Sequence, residues 1–181
     1  MNIFETLDYE HQLIGKALQV AKTCARRMAV PGATAEPVGQ ELKGFCFGFV
    51  NQCHQVKEFN LFVRLLQKGR SYVIAPITSL HAEHGELARL IGLLEAAWTC
   101  AEKGEAGACA RVSGYLSEYA ALMQAHLVKE DRFYKLTSTA LEAADQATLQ
   151  TDFERLDRET LGAEGYGRYC QWAHQAADKP W

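Results

Sequence analysis

Residues 80–87 have the sequence Leu-His-Ala-Glu-His-Gly-Glu-Leu and repeat the pattern of residues 7–14, Leu-Asp-Tyr-Glu-His-Gln-Leu-Ile. Both stretches contain Leu-x-x-Glu-His and an aliphatic residue three positions after the histidine. Each is followed about forty residues later by His-x-Val-Lys-Glu, at residues 54–58 and 126–130. The two histidines of a half are 43 positions apart in the first half and 42 in the second. The chain therefore has two similar halves, each with one single histidine and one His/Glu pair.

Apolar residues spaced by three or four accompany these motifs and predict long helices. The predicted helices cover residues 3–28, 38–67, about 79–103 and 108–138, with short loops between them. Pro76 lies in the linker expected before the third helix, with Thr78 or Ser79 as its N-cap. No stretch predicts a strand. Four long helices with short connections predict an all-α fold, an up-down-up-down four-helix bundle.

A fifth, more polar helix is predicted over residues 145–176, weakened by glycines at 162, 165 and 167. We expect residues 1–140 to form the bundle and residues 141–181 to form a C-terminal helical extension packed on it. The last residues, from Asp178, are expected to be loose.

The motif side chains are predicted to converge in the core of the bundle. His and Glu four positions apart lie on one helix face, so each His-x-Val-Lys-Glu segment offers an imidazole and a carboxylate in one direction. In the second helix, Phe47 and Val50 are expected on that same stripe. Imidazole suits iron, copper, zinc and nickel, and a carboxylate can bridge two ions. The sequence thus predicts a pair of metal ions held by His11, His54, Glu58, His84, His126 and Glu130.

Neighbouring side chains are further candidates. His81 lies about 60° around its helix from His84, so it is a candidate for ligation, for contact with a bound ligand, or for packing on another helix. Tyr119 lies two turns before His126, either as a core residue or with its hydroxyl near the open pocket. Glu10 and Glu83 precede the single histidines and are either solvated or partners of an imidazole on another helix.

Composition excludes several classes of function. The 181 residues carry a net charge of −3 with dispersed Lys and Arg, which favours neither nucleic acid nor a membrane surface as partner. No signal peptide or membrane-spanning stretch is apparent, so a cytoplasmic location is expected. The six cysteines form no C-x-x-C pair, which argues against a disulfide framework and a structural zinc site.

The four motifs together resemble those of the bacterial hemerythrin-like, or HHE cation-binding, family. They are Leu-x-x-Glu-His at residues 7–11, His-x-x-Lys-Glu-x-x-Leu-Phe at 54–62, Pro-Ile-x-x-Leu-x-x-Glu-His at 76–84 and His-x-x-Lys-Glu-Asp at 126–131. The resemblance implies a non-haem di-iron centre, oxo- or hydroxo-bridged, with the four histidines as ligands and Glu58 and Glu130 as bridges. Asp131 has the spacing from His126 that oxygen-carrying hemerythrins use, but symmetry with Glu58 favours Glu130.

By the same resemblance, the protein binds or reacts with oxygen, peroxide or nitric oxide, in oxidative or nitrosative stress or another oxygen-related redox role. It has fewer histidines than the oxygen carriers, which favours redox work over transport and leaves open whether it is an enzyme. A reversible module that binds or senses a diatomic ligand is one alternative. An iron protein of the iron–sulfur cluster repair type is another, and a structural bundle without metal is a third.

Overall fold

The first helix, α1, covers Ile3–Met28 in the computed structural model, which describes residues 2–35 and 38–178. The side-chain oxygen of Asn2 accepts hydrogen bonds from the backbone N–H groups of Phe4 and Glu5, both at 3.0 Å. The Glu5 carboxylate in turn accepts the Asn2 N–H at 2.8 Å. This capping box satisfies donors that the start of a helix leaves unpaired. The predicted bounds of the first helix are confirmed.

The second predicted helix consists of three continuous segments. Helix α2 covers Val38–Gly44, a π-helical segment covers Phe45–His54, and α3 covers Gln55–Gln67. The wider π-helical turn places residues four positions apart on one face, so the pairs 45/46, 49/50 and 53/54 are all buried. Phe47 is 40% exposed, so the prediction that it lies on the same buried stripe as His54 is wrong. The π-helical turn changes the angle between successive side chains.

The third predicted helix begins earlier than expected. A 3₁₀ turn at Ser71–Val73 leads directly into α4, Ile74–Glu102. Pro76 lies in the first turn of α4 rather than in a linker, because the N–H that proline lacks has no helical partner there. The Thr78 hydroxyl donates to the carbonyl of Ile74 at 2.9 Å and does not cap the helix.

Helix α5 covers Ala108–Thr137, and the predicted fifth helix is divided into α6, Ala143–Leu161, and α7, Gly165–Asp178. Gly162 ends α6 with φ of 78°, a conformation that glycine adopts without the penalty of a Cβ. The prediction of one continuous, weakened helix over 145–176 is therefore wrong, because the chain forms two helices there. The expected loose tail, apart from Asp178 at the end of α7, lies outside the described residues.

Helix α5 packs along both α1 and α4, α3 packs on α4 and α6, and α7 packs on α1. Two apolar clusters fill the interior. On α1, Leu7 belongs to one cluster and Leu13 to the other, with His11 between them; on α4, Leu80 and Leu87 flank His84 in the same way. The predicted all-α helical bundle is confirmed, and the described residues contain no strand. None of their helices has the length and apolar character needed to cross a membrane.

Helix α2 approaches the core closely at Gly39. A Cβ at this position would lie 1.4 Å from Cζ2 of Trp98, whose side chain is fully buried. The indole ring occupies the space that any other residue would need. Glycine therefore lets the backbone of α2 lie directly on α4 ahead of the π-helical segment.

Candidate metal centre

Six polar side chains from the four long helical stretches meet between the two apolar clusters. None of them is more than 7% exposed. Their positions follow the repeat. Helices α1 and α4 each give one histidine. One His/Glu pair comes from the π-helical segment and α3, and the other comes from α5. The structure thus brings together all the side chains that the sequence predicted as ligands: His11, His54, Glu58, His84, His126 and Glu130.

The six side chains form two overlapping groups that share both carboxylates. The first position is surrounded by His11, His54, Glu58 and Glu130, and the second by His84, His126 and the same two glutamates. In each group the candidate ligand atoms lie within 4.8 Å of one another. Two adjacent cation positions with shared carboxylates are the arrangement that a bridged pair of metal ions requires.

Each glutamate turns one oxygen toward each position. Glu58 Oε1 is 3.4 Å from Nε2 of His11, and Glu58 Oε2 is 3.2 Å from Nε2 of His84. Glu130 is reversed, with Oε2 3.4 Å from Nε2 of His11 and Oε1 3.3 Å from Nε2 of His84. Both carboxylates therefore have the orientation of bridges.

Three of the four imidazoles are backed by a carboxylate on a different helix. The carboxylate accepts the Nδ1–H, which leaves the Nε2 lone pair directed at the centre. This arrangement fixes the ring orientation and strengthens the nitrogen as a ligand. Each Nδ1···O distance is 2.8 Å, in the pairs His54–Glu10, His126–Glu83 and His11–Asp131.

The backing glutamates are themselves paired with the lysines of the repeated motif. Lys57 contacts Glu10 and lies 2.7 Å from Asp157, whereas Lys129 contacts Glu83. The α6 and α7 helices cover Lys57, with the ring centroids of Phe153 and Tyr166 5.8 and 4.9 Å from its Nζ. The Glu10–Lys57 pair is therefore shielded by the C-terminal helices.

Charge balance within the centre shifts the pKa of several groups. Burial alone would raise the pKa of Glu130, but the close imidazole nitrogens of His11, His126 and His84 lower it to about 2. Burial alone would lower the pKa of His84, but the hydrogen bonds to Glu130 and Glu58 raise it to about 9. The buried carboxylates thus require positive charge nearby, which protons on the imidazoles or bound cations can supply.

Four buried atoms test whether a cation fits. Among the described residues, Nε2 of His54 and His126 and Oε2 of Glu58 and Glu130 make no well-directed hydrogen bond. Buried polar atoms are rarely left unpaired, because their desolvation is costly. Cations at the two positions would satisfy all four atoms, and a donor set of imidazole nitrogen and carboxylate oxygen suits first-row divalent metals. The residues therefore fit a metal centre.

Tyr134 also reaches the centre, although the sequence analysis did not identify it. Its hydroxyl donates a hydrogen bond to Glu58 Oε1, and its ring stacks on His11 with centroids 5.4 Å apart. Burial and the neighbouring carboxylates raise the pKa of Tyr134 well above its ordinary value, so the hydroxyl keeps its proton. The available signal was its position four residues after Glu130, one turn along the same helix face.

The other candidates lie elsewhere. His81 is exposed, and its ring centroid is 5.9 Å from that of Phe59. Tyr119 is buried in the larger apolar cluster, where Cys46 neighbours its hydroxyl. Neither residue belongs to the two groups around the metal positions. None of the six cysteines, all of which lie within the described residues, forms a disulfide bond.

The family model described as the hemerythrin HHE cation binding domain matches residues 2–137 of this chain. The match spans α1 to α5 and includes all six side chains of the centre. Comparison of the chain with curated proteins and with solved structures gives no significant match.

Proposed function

This chain belongs to the hemerythrin HHE cation-binding domain family, and on that premise we propose that it is a non-haem di-iron protein that binds or reacts with oxygen, peroxide or nitric oxide. Such chemistry suits a role in oxidative or nitrosative stress or in another oxygen-related redox process. The observation that supports it most is the pair of adjacent positions, each facing two imidazole nitrogens and one oxygen from each of two carboxylates.

The proposal assigns a ligand set to each ion. His11 and His54 would hold the first ion, His84 and His126 the second, and Glu58 and Glu130 would bridge them. Iron bound there would supply redox chemistry and open coordination positions for a small ligand. The carboxylates balance the charge of the ions. The imidazoles of His11, His54 and His126 would bind through Nε2 because their Nδ1–H groups are already engaged, and Nε2 of His84 faces both carboxylates.

Burial of the centre supports a small ligand. The six side chains are at most 7% exposed, and apolar clusters lie on both sides of them. Bulk water and large substrates are kept away from the ligand atoms by this packing. We therefore propose diatomic molecules and peroxide as the ligands.

We also propose that residues 1–140 form the metal-binding bundle and residues 141–181 an extension packed on it. Leu149 and Phe153 of α6 are buried in the same cluster as Leu7 and Leu61. Ala173 and Ala176 of α7 are buried in the other cluster. These contacts support an extension that folds against the bundle.

Metal analysis tests the di-iron proposal. The purified protein is reconstituted with ferrous iron without oxygen, and iron per chain is then measured together with the near-ultraviolet and visible absorption spectrum after oxidation. We expect two iron ions per chain and a charge-transfer band. Less than one iron per chain, with no such band, would contradict the proposal.

Rapid mixing separates reaction from reversible binding. The reduced, iron-loaded protein is mixed with oxygen, peroxide or nitric oxide in a stopped-flow spectrometer. Oxidation or repeated turnover of the centre supports the redox function. A persistent complex that releases its ligand when the gas is removed supports the alternative of a binding or sensing module.

A further inference from the structure

Tyr134 and Phe62 occupy equivalent positions of the internal repeat. They lie 72 positions apart, as do Glu58 and Glu130. Their rings have the same packing role, since Tyr134 stacks on His11 at a centroid distance of 5.4 Å and Phe62 on His84 at 6.0 Å. The hydroxyl of Tyr134 is therefore the main chemical difference between the two aromatic residues.

The hydroxyl is directed at one specific oxygen. It donates to Glu58 Oε1, which faces the first position and lies 3.3 Å from Nε2 of His54. The equivalent oxygen of the second position is Glu130 Oε1, 2.9 Å from Nε2 of His126. Phe62 cannot donate to that oxygen. The first position therefore has a hydroxyl donor that the Phe62 side of the repeat cannot supply.

Resting on the proposed di-iron function, we propose that the Tyr134 hydroxyl makes the two metal positions unequal by weakening the bond between Glu58 Oε1 and the first ion. A hydroxyl that donates to a ligating oxygen withdraws electron density that the oxygen would otherwise give to the metal. Glu130 Oε1 keeps its full donor strength for the second ion. Tyr134 is thus a positioning and tuning residue that acts through Glu58.

The test exchanges the hydroxyl between the two halves. Tyr134→Phe removes it while keeping the ring that stacks on His11, and Phe62→Tyr adds one beside the second position. Tyr119→Phe is the matched control, because Tyr119 is a buried tyrosine of α5 that lies in the apolar core. Thermal unfolding of the metal-free variants verifies that each one folds.

The probe is Co²⁺ alone, added anaerobically to the metal-free full chain. Calorimetry gives the dissociation constants of the two ions, and visible ligand-field absorption reports the environment of each. In Tyr134→Phe we expect the product of the two dissociation constants to fall by about 10-fold. Altering a group that contacts a metal ligand usually weakens binding by at least this factor, but the sign is reversed here because the hydroxyl competes with the ion for Glu58 Oε1. In Phe62→Tyr the product should rise by a similar factor. Both variants should make the two ligand-field spectra more alike.

The outcomes separate this inference from the proposed function. Failure of the unaltered chain to bind two Co²⁺ ions would overturn both. Binding of two ions, with Tyr134→Phe matching Tyr119→Phe in constants and spectrum, would overturn the inference alone. Weaker binding in Tyr134→Phe would do the same, and this variant decides the matter even when Phe62→Tyr does not fold.

Discussion

Lys57 and Lys129 occupy equivalent positions of the repeat and pair with equivalent glutamates, yet the Lys57 side chain is fully buried and that of Lys129 is 51% exposed. The α6 and α7 helices cover the first ion pair and leave the second in contact with solvent. The same Glu–Lys ion pair therefore contributes differently to the free energy of unfolding in the two halves.

Replacing each lysine by methionine should reveal this difference. Lys57→Met leaves Glu10 buried without its cation and should lower the free energy of unfolding by about 3 kcal/mol. Lys129→Met removes a pair whose lysine is in contact with solvent and should cost no more than about 1 kcal/mol. Urea denaturation of the two metal-free variants measures both values. Equal losses would show that the cover provided by α6 and α7 does not strengthen the first pair.

Removal of either bridging carboxylate should reduce metal content and stability together. Glu58→Ala and Glu130→Ala each remove an oxygen from both positions, and metal binding is linked to folding. We expect each variant to retain at most one iron per chain after reconstitution and to lose the increase in melting temperature that iron gives to the unaltered chain. Glu95→Ala, at an exposed site of α4, is the control. Unchanged iron content in both variants would mean that other carboxylates bind the metal.

The backing carboxylates should affect affinity without being ligands. Glu83→Gln weakens the acceptor for the Nδ1–H of His126 and should raise the dissociation constant for iron about 10- to 100-fold. Glu86→Gln, three residues further along α4, changes an exposed carboxylate paired with Arg89 and should have no such effect. Competition with a metal chelator measures both affinities. Equal affinities in the two variants would show that Glu83 does not contribute to metal binding.

Gly39 should tolerate no side chain. Gly39→Ala places a Cβ in the space of the Trp98 ring and should destabilise the protein by about 1–3 kcal/mol through overpacking. Gly15→Ala is the matched control, since a Cβ there meets nothing within 4 Å, and it should stabilise α1 by about 0.5–1 kcal/mol. Thermal and urea unfolding compare the variants, and a neutral Gly39→Ala would show that α2 can move away from Trp98.

Stability of the metal-free protein should depend on pH in a defined direction. The pKa of His84 is raised from 6.5 to about 9, so its stabilising contribution is complete below about pH 6.5 and is lost as the pH rises through about 9. The pKa of Glu130 is lowered from 4.5 to about 2, so its contribution is complete above about pH 4.5 and is lost as the pH falls through about 2. These two groups favour a stability maximum between about pH 4.5 and 6.5.

Urea denaturation of the chelator-treated protein across this range provides the measurement. Each group contributes a slope of up to about 1.4 kcal/mol per pH unit where it titrates between its folded and unfolded pKa. Bound metal should remove the alkaline loss, because the cation replaces the imidazole protons. A metal-free protein that becomes more stable between pH 6.5 and 9 would contradict this assignment of charge.

The sequence alone predicted the six side chains that converge, because the repeat places each of them on an apolar face. It could not predict which carboxylate backs which imidazole, since the pairing of Glu10 with His54 depends on how two helices pack. Asp131 shows the same limit. Its spacing from His126 suggested a ligand, whereas the structure places its carboxylate on Nδ1 of His11.

The π-helical segment and Tyr134 were missed for different reasons. The buried pairs at 45/46, 49/50 and 53/54 recur every four residues rather than every 3.6, which is a signal for a wider turn that a standard helical period conceals. Tyr134 would have emerged from aligning the two halves beyond their glutamates, where it stands opposite Phe62. Which oxygen its hydroxyl reaches depends on tertiary packing.

Because α6 and α7 cover one face of the bundle, the two halves of the centre differ in how dissolved ions act on them. Salt screens charges that are in contact with solvent and acts weakly on buried ones. Raising the ionic strength should therefore loosen the Glu83–Lys129 pair and with it the support of His126, while Glu10, Lys57 and His54 stay shielded. The C-terminal helices therefore protect the Glu10–Lys57–His54 group from changes in salt concentration, whereas the Glu83–Lys129 pair, which they leave uncovered, responds to them.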